Sequence, residues 1–375
     1  MDRAKINEQR LIRAFSDMVE IDSPSRGERS MADHLKKRYE ELDITLHEDD
    51  AGDELGGDSG NLYAAVPGTL PGSPILFSAH MDTVEPSRGK RAIVHDDGTI
   101  TSAGNTVLGS DDAAGLAEIL EAVRLLKEHN IPHRSIELLF PVAEEQYCVG
   151  SGLLDFDRLD AQEGYFWDLS GDIGRCSLGE PTLLSLDITV MGKAAHAGFS
   201  PEEGINAIAA AGLFLSRIKQ GRLDMDTVCN IGLIQGGTAT NIVSDRVYMR
   251  GEIRSMRDER AQEVAGELDS VALEVCKLTD AVFSIDKESM LTAYSIAEDE
   301  AVVRRYVAAC GRAGIVPDLT RTQGGSDNNS FCRSGRRGIC AACGMQDVHT
   351  KGEYTRVRDL VSTTRLILEL MTAED

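Results

Sequence analysis

The sequence contains no apolar run approaching the roughly 18 uncharged residues that a bilayer-spanning helix needs, so a soluble protein is expected. Its opening stretch, MDRAKINEQRLIRAFSDMVEI, alternates acids and bases along an amphipathic pattern and lacks a basic segment followed by an apolar one; no secretion signal is expected. Cysteine is sparse. Eight residues scattered over 375 do not make a disulfide framework and fit reduced thiols in a cytoplasm. Basic residues are in deficit, with 39 Lys and Arg against 62 Asp and Glu, a formal charge of −23. Such a surface repels phosphates and anionic lipid headgroups, so neither nucleic acid nor a membrane is expected as a partner. The acids are interspersed with Lys and Arg, the pattern of a solvated face. The sequence shows no internal repeat or low-complexity segment.

What is present is enough chain for more than one core, since 375 residues exceed the usual size of a single domain. Leu11, Ile12, Phe15, Met18 and Val19 share one helical face and predict a helix over 7–21, closed off by Pro24. A second helix is expected from Gly27 to Leu42, then a Gly- and Asp-rich loop and a strand in NLYAAVPG. PILFSAH and SIELLFPVAEEQ are short apolar runs ending in polar clusters, as buried strands do when they deliver ligands from their carboxyl ends; a strong helical period over 113–130 lies between them. From Leu183 the order becomes strand, helix, two strands, helix over Arg257–Leu278, strand. The fold expected is therefore α/β: a catalytic domain of 1–182 and 293–375, with a mixed, mostly parallel sheet flanked by helices, interrupted at 183–292 by an α+β domain.

The polar clusters have the composition of a metal site. Imidazole and carboxylate are the ligands borderline divalent metals accept. His80 and Asp82, two apart on a continuing strand, would face one side, which lets Asp82 reach the ring nitrogen that His80 does not give to a metal. Asp111 and Asp112 precede a helix, and by themselves read as an ordinary cap. Glu144 and Glu145 are adjacent, so their side chains diverge, and one can bind metal while the other faces substrate. Cys340 and Cys343 form a lone CxxC in a strand-like setting and read as two small core residues. GGSDNNS lacks the lysine of a phosphate-binding loop.

In this order and spacing, each at a strand end, HMDTV, LGSDDAAG and PVAEEQ resemble the metal-binding segments of the M20 family of metallopeptidases, and most closely its peptidase T (tripeptide aminopeptidase) branch. The resemblance runs from GNLYAAVPG to the last helix. It implies that the inserted domain is a ferredoxin-like lid or dimerisation domain. It implies two divalent metal ions, zinc in the first place with cobalt or manganese as alternatives, and a hydroxide bridging them. His80 would bind the first metal, Asp111 both, and Glu145 the second, with Glu144 as general base. The next ligand is matched by Asp168 in GYFWDLSGDIG, with Asp172 close by as the alternative, and the last by His349 in DVHTKGEYT. The peptide bond between Asp111 and Asp112 would be cis. His196 in AAHAG matches a lid histidine aimed at the scissile carbonyl, although the family usually has Pro where this chain has Ala197. Asn241, Arg254 and the loop with Gly325, Ser326 and Asp327 match positions around the substrate.

The function so implied is hydrolysis of short peptides, with a peptide as partner and a homodimer formed through the lid. An amidohydrolase of N-acyl amino acids, or a carboxypeptidase, would use the same metal core. A non-catalytic metal- or peptide-binding protein is the reading from another class, and a complete ligand set plus an unligated base argues against it.

Overall fold

The computed structural model describes residues 5–373, so the outermost residues of the expected 1–182 and 293–375 segments lie outside it. The chain divides into two compact units, one comprising residues up to Gly179 and from Ser295 onward, the other Glu180–Tyr294.

The first unit is organised by an eight-stranded sheet in the spatial order His47–Glu48, Leu62–Val66, Ile136–Phe140, Ile75–Ser78, Glu163–Leu169, Arg337–Ala342, Arg175–Ser177, Asp318–Thr320. The four central strands, Ile136–Phe140 through Arg337–Ala342, all run parallel, so their carboxyl ends lie along one edge of the sheet. Antiparallel pairings occur only toward the flanks. IELLF and ILFS are buried at every position, which is why, Glu137 and Ser78 apart, they read as apolar runs and not as alternating ones. Leu76, Leu139, Phe166 and Cys340 meet Phe156 and Phe331 on one face; Phe77 and Tyr165 pack toward Tyr306 on the other.

Helix Ser110–His129 packs against helices Glu8–Val19 and Val357–Met371. Its Gly115 has no room for a side chain: a Cβ there would lie 2.6 Å from Asp112 Oδ1 and 2.9 Å from the Trp167 carbonyl. That close approach brings the helix start against the end of strand Glu163–Leu169. All eight cysteines are free thiols, and Cys340 and Cys343 are buried. Among the described residues, no helix is long and apolar enough to cross a membrane.

The second unit is a five-stranded antiparallel sheet ordered Gly221–Arg222, Thr227–Gly236, Arg246–Ser255, Thr182–Met191, Val282–Leu291. Its long strands and the helices Ala207–Arg217 and Asp258–Thr279 follow the βαββαβ order of a ferredoxin-like fold. Leu184, Leu186, Ile188 and Val190 alternate inward along one strand and meet Ala210, Phe214, Ala261 and Leu268 from the helices, so a single layer of helices covers one face.

Candidate metal centre

Each central strand carries polar side chains at the same sheet edge. Ile75–Ser78 leads into His80 and Asp82, Ile136–Phe140 into Glu144 and Glu145, Asp168 is the penultimate residue of Glu163–Leu169, and Arg337–Ala342 leads into the loop that carries His349. Asp111 comes from the start of helix Ser110–His129, where Asp111 and Asp112 depart from helical geometry and the peptide bond between them is cis. The simple capping reading of this loop needs correction. Asp112 does the local work, accepting the Gly115 N–H at 3.1 Å and the His80 N–H at 3.1 Å. Asp111 is left free to turn outward.

Its two oxygens then meet two different imidazoles. Asp111 Oδ1 lies 2.9 Å from His80 Nε2, and Oδ2 lies 3.1 Å from His349 Nε2. His349 Nε2 is also 3.1 Å from Glu145 Oε2, and His80 Nε2 is 3.7 Å from Asp168 Oδ1. The result is two triads, His80–Asp111–Asp168 and Asp111–Glu145–His349, each with donor atoms within 4.8 Å of one another and both sharing Asp111. Glu144 also lies within that distance of His80 and Glu145. Asp172 is exposed and belongs to no such group.

Asp82 ties the parts together. It accepts the Glu144 and Glu145 backbone N–H groups at 2.9 and 3.2 Å and the Ser25 hydroxyl at 2.7 Å, and it sits 3.3 Å from His80 Nδ1, close but not aligned for a hydrogen bond.

Charge is out of balance here. Asp82, Asp111, Glu144, Glu145 and Asp168 converge on only two imidazoles. Burial, reinforced by neighbouring carboxylates, raises the pKa values of Glu144, Glu145 and Asp168. Burial opposes ionisation of Asp111 too, but hydrogen bonds with His349 and His80 hold it below the ordinary carboxylate range. His349, contacting Asp111 and Glu145, is pushed up to about 10, and His80 is raised despite its burial by Asp111, Asp168 and Asp82. Glu145 Oε1 is buried with no hydrogen-bond partner. Surplus negative charge, an orphaned carboxylate oxygen and imidazole nitrogens in reach of carboxylates are the donor set that divalent cations of the zinc type fit.

The other candidates are placed less uniformly. Ser326 is buried and works locally, its hydroxyl accepting the Asn328 N–H at 3.3 Å while its own N–H bonds Asn329 Oδ1 at 3.1 Å. Asp327 is buried, pushed up to about 7 by desolvation, with Oδ1 unpartnered. Gly325 is half-buried and offers only backbone. In the second unit His196 is exposed and stacks on Phe199 at 4.2 Å, its Nδ1 accepting the Gly198 and Phe199 N–H groups at 3.1 and 3.2 Å. Asn241 stands beside it, its carbonyl accepting the Ala197 N–H at 3.0 Å. Arg254 is elsewhere. It pairs with Leu183 at one end of strand Thr182–Met191, whereas the His196 corner lies beyond Met191 at the other, and its Nε bonds Glu252 Oε1 at 2.8 Å.

Sequence reasoning missed Glu353, Glu28 and Cys148. Glu353 bonds the loop around Asp111, Cys148 donates its thiol to Glu144 Oε1 at 3.1 Å, and Glu28 is a fully buried neighbour of Asp82. Glu353 and Glu28 carry no local signal, since their partners are close only in three dimensions, whereas Cys148 meets Glu144 within one local turn. Glu28 has a measurable consequence. Burial, then the charge of Asp82, pushes it up to about 7 from 4.5. A raised folded-state value means that its contribution to stability is complete below about pH 4.5 and is lost as the pH rises through 7. Chelator-treated protein is therefore expected to lose up to about 3 kcal/mol of stability over that window on this account. Glu28→Gln should flatten the slope in urea titrations at pH 5 and 8; equal slopes would refute the assignment.

A parallel sheet that gathers two imidazole–carboxylate triads around one aspartate at its carboxyl edge describes a metal-dependent hydrolase. Residues 178–279 match the M20 peptidase dimerisation domain, and residues 61–155, which carry His80 through Glu145, match peptidase family M28. Aminopeptidase PepT of Bacillus cereus is 35% identical with a TM-score of 0.91, covering 98% of both chains. A tripeptidase of Staphylococcus aureus is 34% identical with a TM-score of 0.94 over 98% of both. Peptidase T of Shewanella sediminis is 25% identical over 98% of this chain and 99% of its own. The chain belongs to the M20 family of metallopeptidases, in its peptidase T-like branch, and is a metallopeptidase that hydrolyses peptide bonds.

Proposed function

We propose that the protein cleaves short peptides, as a tripeptidase or aminopeptidase, around two divalent metal ions, zinc first among them. The observation that carries this reading is Asp111, with one oxygen toward His80 and the other toward His349. On this reading His80 and Asp168 would hold one ion and Glu145 and His349 the other, with Asp111 available to both. When bound, such a pair would supply Lewis acidity and lower the pKa of the attacking water toward neutrality.

The remaining chemistry falls to the chain's own residues. Glu144, unable to share its charge with solvent, takes the proton of the attacking water and returns it to the leaving amine, one carboxylate acting as base and then acid. Asp82 holds the backbone of both glutamates in place and puts its charge beside the His80 ring. His196 supports the carbonyl oxygen as it gains charge. Asn241, Gly325, Ser326 and Asp327 flank the peptide, and Arg254 pairs with its carboxylate in exchange for Glu252.

The inserted unit is proposed to pair two copies of the chain, a reading supported by its match to a peptidase dimerisation domain. Strand register adds an argument. From Leu183 to Met191 the sheet extends about 26 Å at roughly 3.3 Å per residue, while an extended tripeptide spans only about 10 Å. One copy cannot offer both Arg254 and His196 to the same peptide, so a partner copy would supply one of them.

The test is turnover of a panel of di- and tripeptides beside N-acyl amino acids, before and after chelation. Activity on tripeptides that a chelator abolishes and zinc, cobalt or manganese restores is the expected result. Preference for acylated amino acids, or turnover that survives full metal removal, would overturn the proposal.

A further inference from the structure

We infer that Glu353 is a positioning residue: it clamps the loop carrying His349 to the loop carrying Asp111, and so sets how tightly the Asp111–Glu145–His349 side of the site holds its cation. The inference rests on the two-cation reading above.

The clamp consists of three hydrogen bonds to one buried carboxylate. Glu353 Oε1 accepts the Ser110 hydroxyl at 2.6 Å and the Asp111 N–H at 3.1 Å, and Oε2 accepts the Gly109 N–H at 2.9 Å. All three donors lie at or immediately before Asp111, the residue common to both triads. Hydrogen bonds to an ionised carboxylate are shorter and about twice as strong as neutral ones. Gly109 takes its place in a left-handed conformation, φ 75°, where a Cβ would fall 2.8 Å from Lys90 Cε, and farther along the loop Asp112 accepts the His80 N–H at 3.1 Å, which ties the loop to the end of a central strand.

On the other side of the clamp is an exposed turn braced chiefly within itself, where the Thr350 hydroxyl donates to the Asp347 carbonyl at 2.7 Å and accepts the Gly352 N–H at 3.1 Å. Gln346 and Tyr354 close it with reciprocal backbone bonds of 2.9 and 3.1 Å, and Glu353 N–H bonds the Thr350 carbonyl at 3.2 Å. Between those points Asp347 and 349–352 are exposed, and Asp347 and His349 have positive φ values of 51° and 62°. Glu353 is the buried residue of this turn, only 2% exposed, and its side chain reaches across to the Asp111 loop. Lys351 adds an exposed bond to Asn105 at 3.1 Å. By contrast, Asp168 lies within a central strand and His80 stands just past the end of one, after Ala79, so their positions are set by the sheet. Loosening Glu353 therefore displaces His349 relative to Asp111 while leaving the His80–Asp168 pair on its scaffold.

Glu353→Gln retains the shape but replaces one acceptor oxygen by a donor, so three donors face a group that can satisfy them only in part. Full-length wild type, Glu353→Gln and Ser110→Ala, which removes the hydroxyl alone, would be stripped and titrated with Zn²⁺ against a chromophoric chelator. Stoichiometry would be read by elemental analysis and the second site by the visible spectrum of the Co²⁺ form. Loss of a partner behind the ligands typically weakens metal binding by about 10- to 100-fold. The expected result is two equivalents for wild type, with Glu353→Gln keeping the first affinity and losing about 10- to 100-fold in the second. Ser110→Ala should shift the second in the same direction by less, and excess metal should restore Glu353→Gln turnover. A merely structural role would lower the melting temperature of the metal-free protein and weaken both sites alike. That outcome, or two equivalents held by Glu353→Gln as tightly as by wild type, overturns the inference while leaving the two-cation reading intact. Wild type that takes up only one equivalent overturns the two-cation reading itself.

Discussion

Glu144→Ala is expected to retain two equivalents of metal and to lose about 10²–10⁴-fold in turnover, the usual range for removing a positioned general base. Three features single out this carboxylate. It is buried at the sheet edge, its neighbours and surroundings raise its affinity for a proton, and the Cys148 thiol donates to Oε1 at 3.1 Å, fixing the side chain from behind. A base must accept a proton near the working pH, and a carboxyl raised above its ordinary range by burial is suited to that. The adjacent Glu145 differs in contacts, since its Oε2 meets His349 at 3.1 Å. Elemental analysis beside steady-state kinetics separates the two roles. If Glu144→Ala loses metal while Glu145→Ala keeps it, the assignment of base and ligand must be exchanged, an outcome its proximity to His80 would allow.

Asp111→Ala is expected to have the broadest effect, because both triads use this residue. Metal affinity should fall by more than the roughly 100-fold that marks the loss of a residue behind the ligands, and at both sites together. His80→Ala, by comparison, should weaken chiefly the site it shares with Asp168. The measurement is metal content after dialysis against a weak chelator, with peptide turnover alongside. Unchanged metal content in Asp111→Ala would mean that the aspartate does not join the two ions. The physical reason for expecting otherwise is geometric: no other carboxylate among the described residues has one oxygen within 3.1 Å of each of two imidazoles.

Much of this arrangement could be read in the chain. PILFSAH and SIELLFPVAEE are largely apolar because both faces of a central parallel strand are covered. The exception inside a strand, Glu137, is buried with its carboxylate accepting the Asp160 and Ala161 N–H groups, and the other polar side chains gather where the strands emerge. That argument placed His80, Asp82, Glu144 and Glu145 at one edge without any knowledge of the strand order. The βαββαβ unit was legible for a similar reason, since alternation along LLSLDITVMG marks a sheet with one covered face. The Asp111 loop was ambiguous, because Ser and Asp before a helix serve as a cap as readily as a ligand. Backbone geometry resolves it by giving the local bonds to Asp112.

Sequence by itself therefore determined the strand ends and the residue types waiting there, because period and burial are local consequences of composition. Tertiary structure decided which of those residues meet. Asp168 joins His80 because it still lies within its strand, whereas Asp172, four residues on, has left the sheet and is exposed. Arg254 and His196 are separated because the antiparallel register puts them at opposite ends of one sheet. Glu353 reaches Asp111 across 242 positions of sequence, and Glu28 lies beside Asp82. Such pairings leave no periodic trace along the chain, since they arise only when separate loops are brought to the same edge of the sheet.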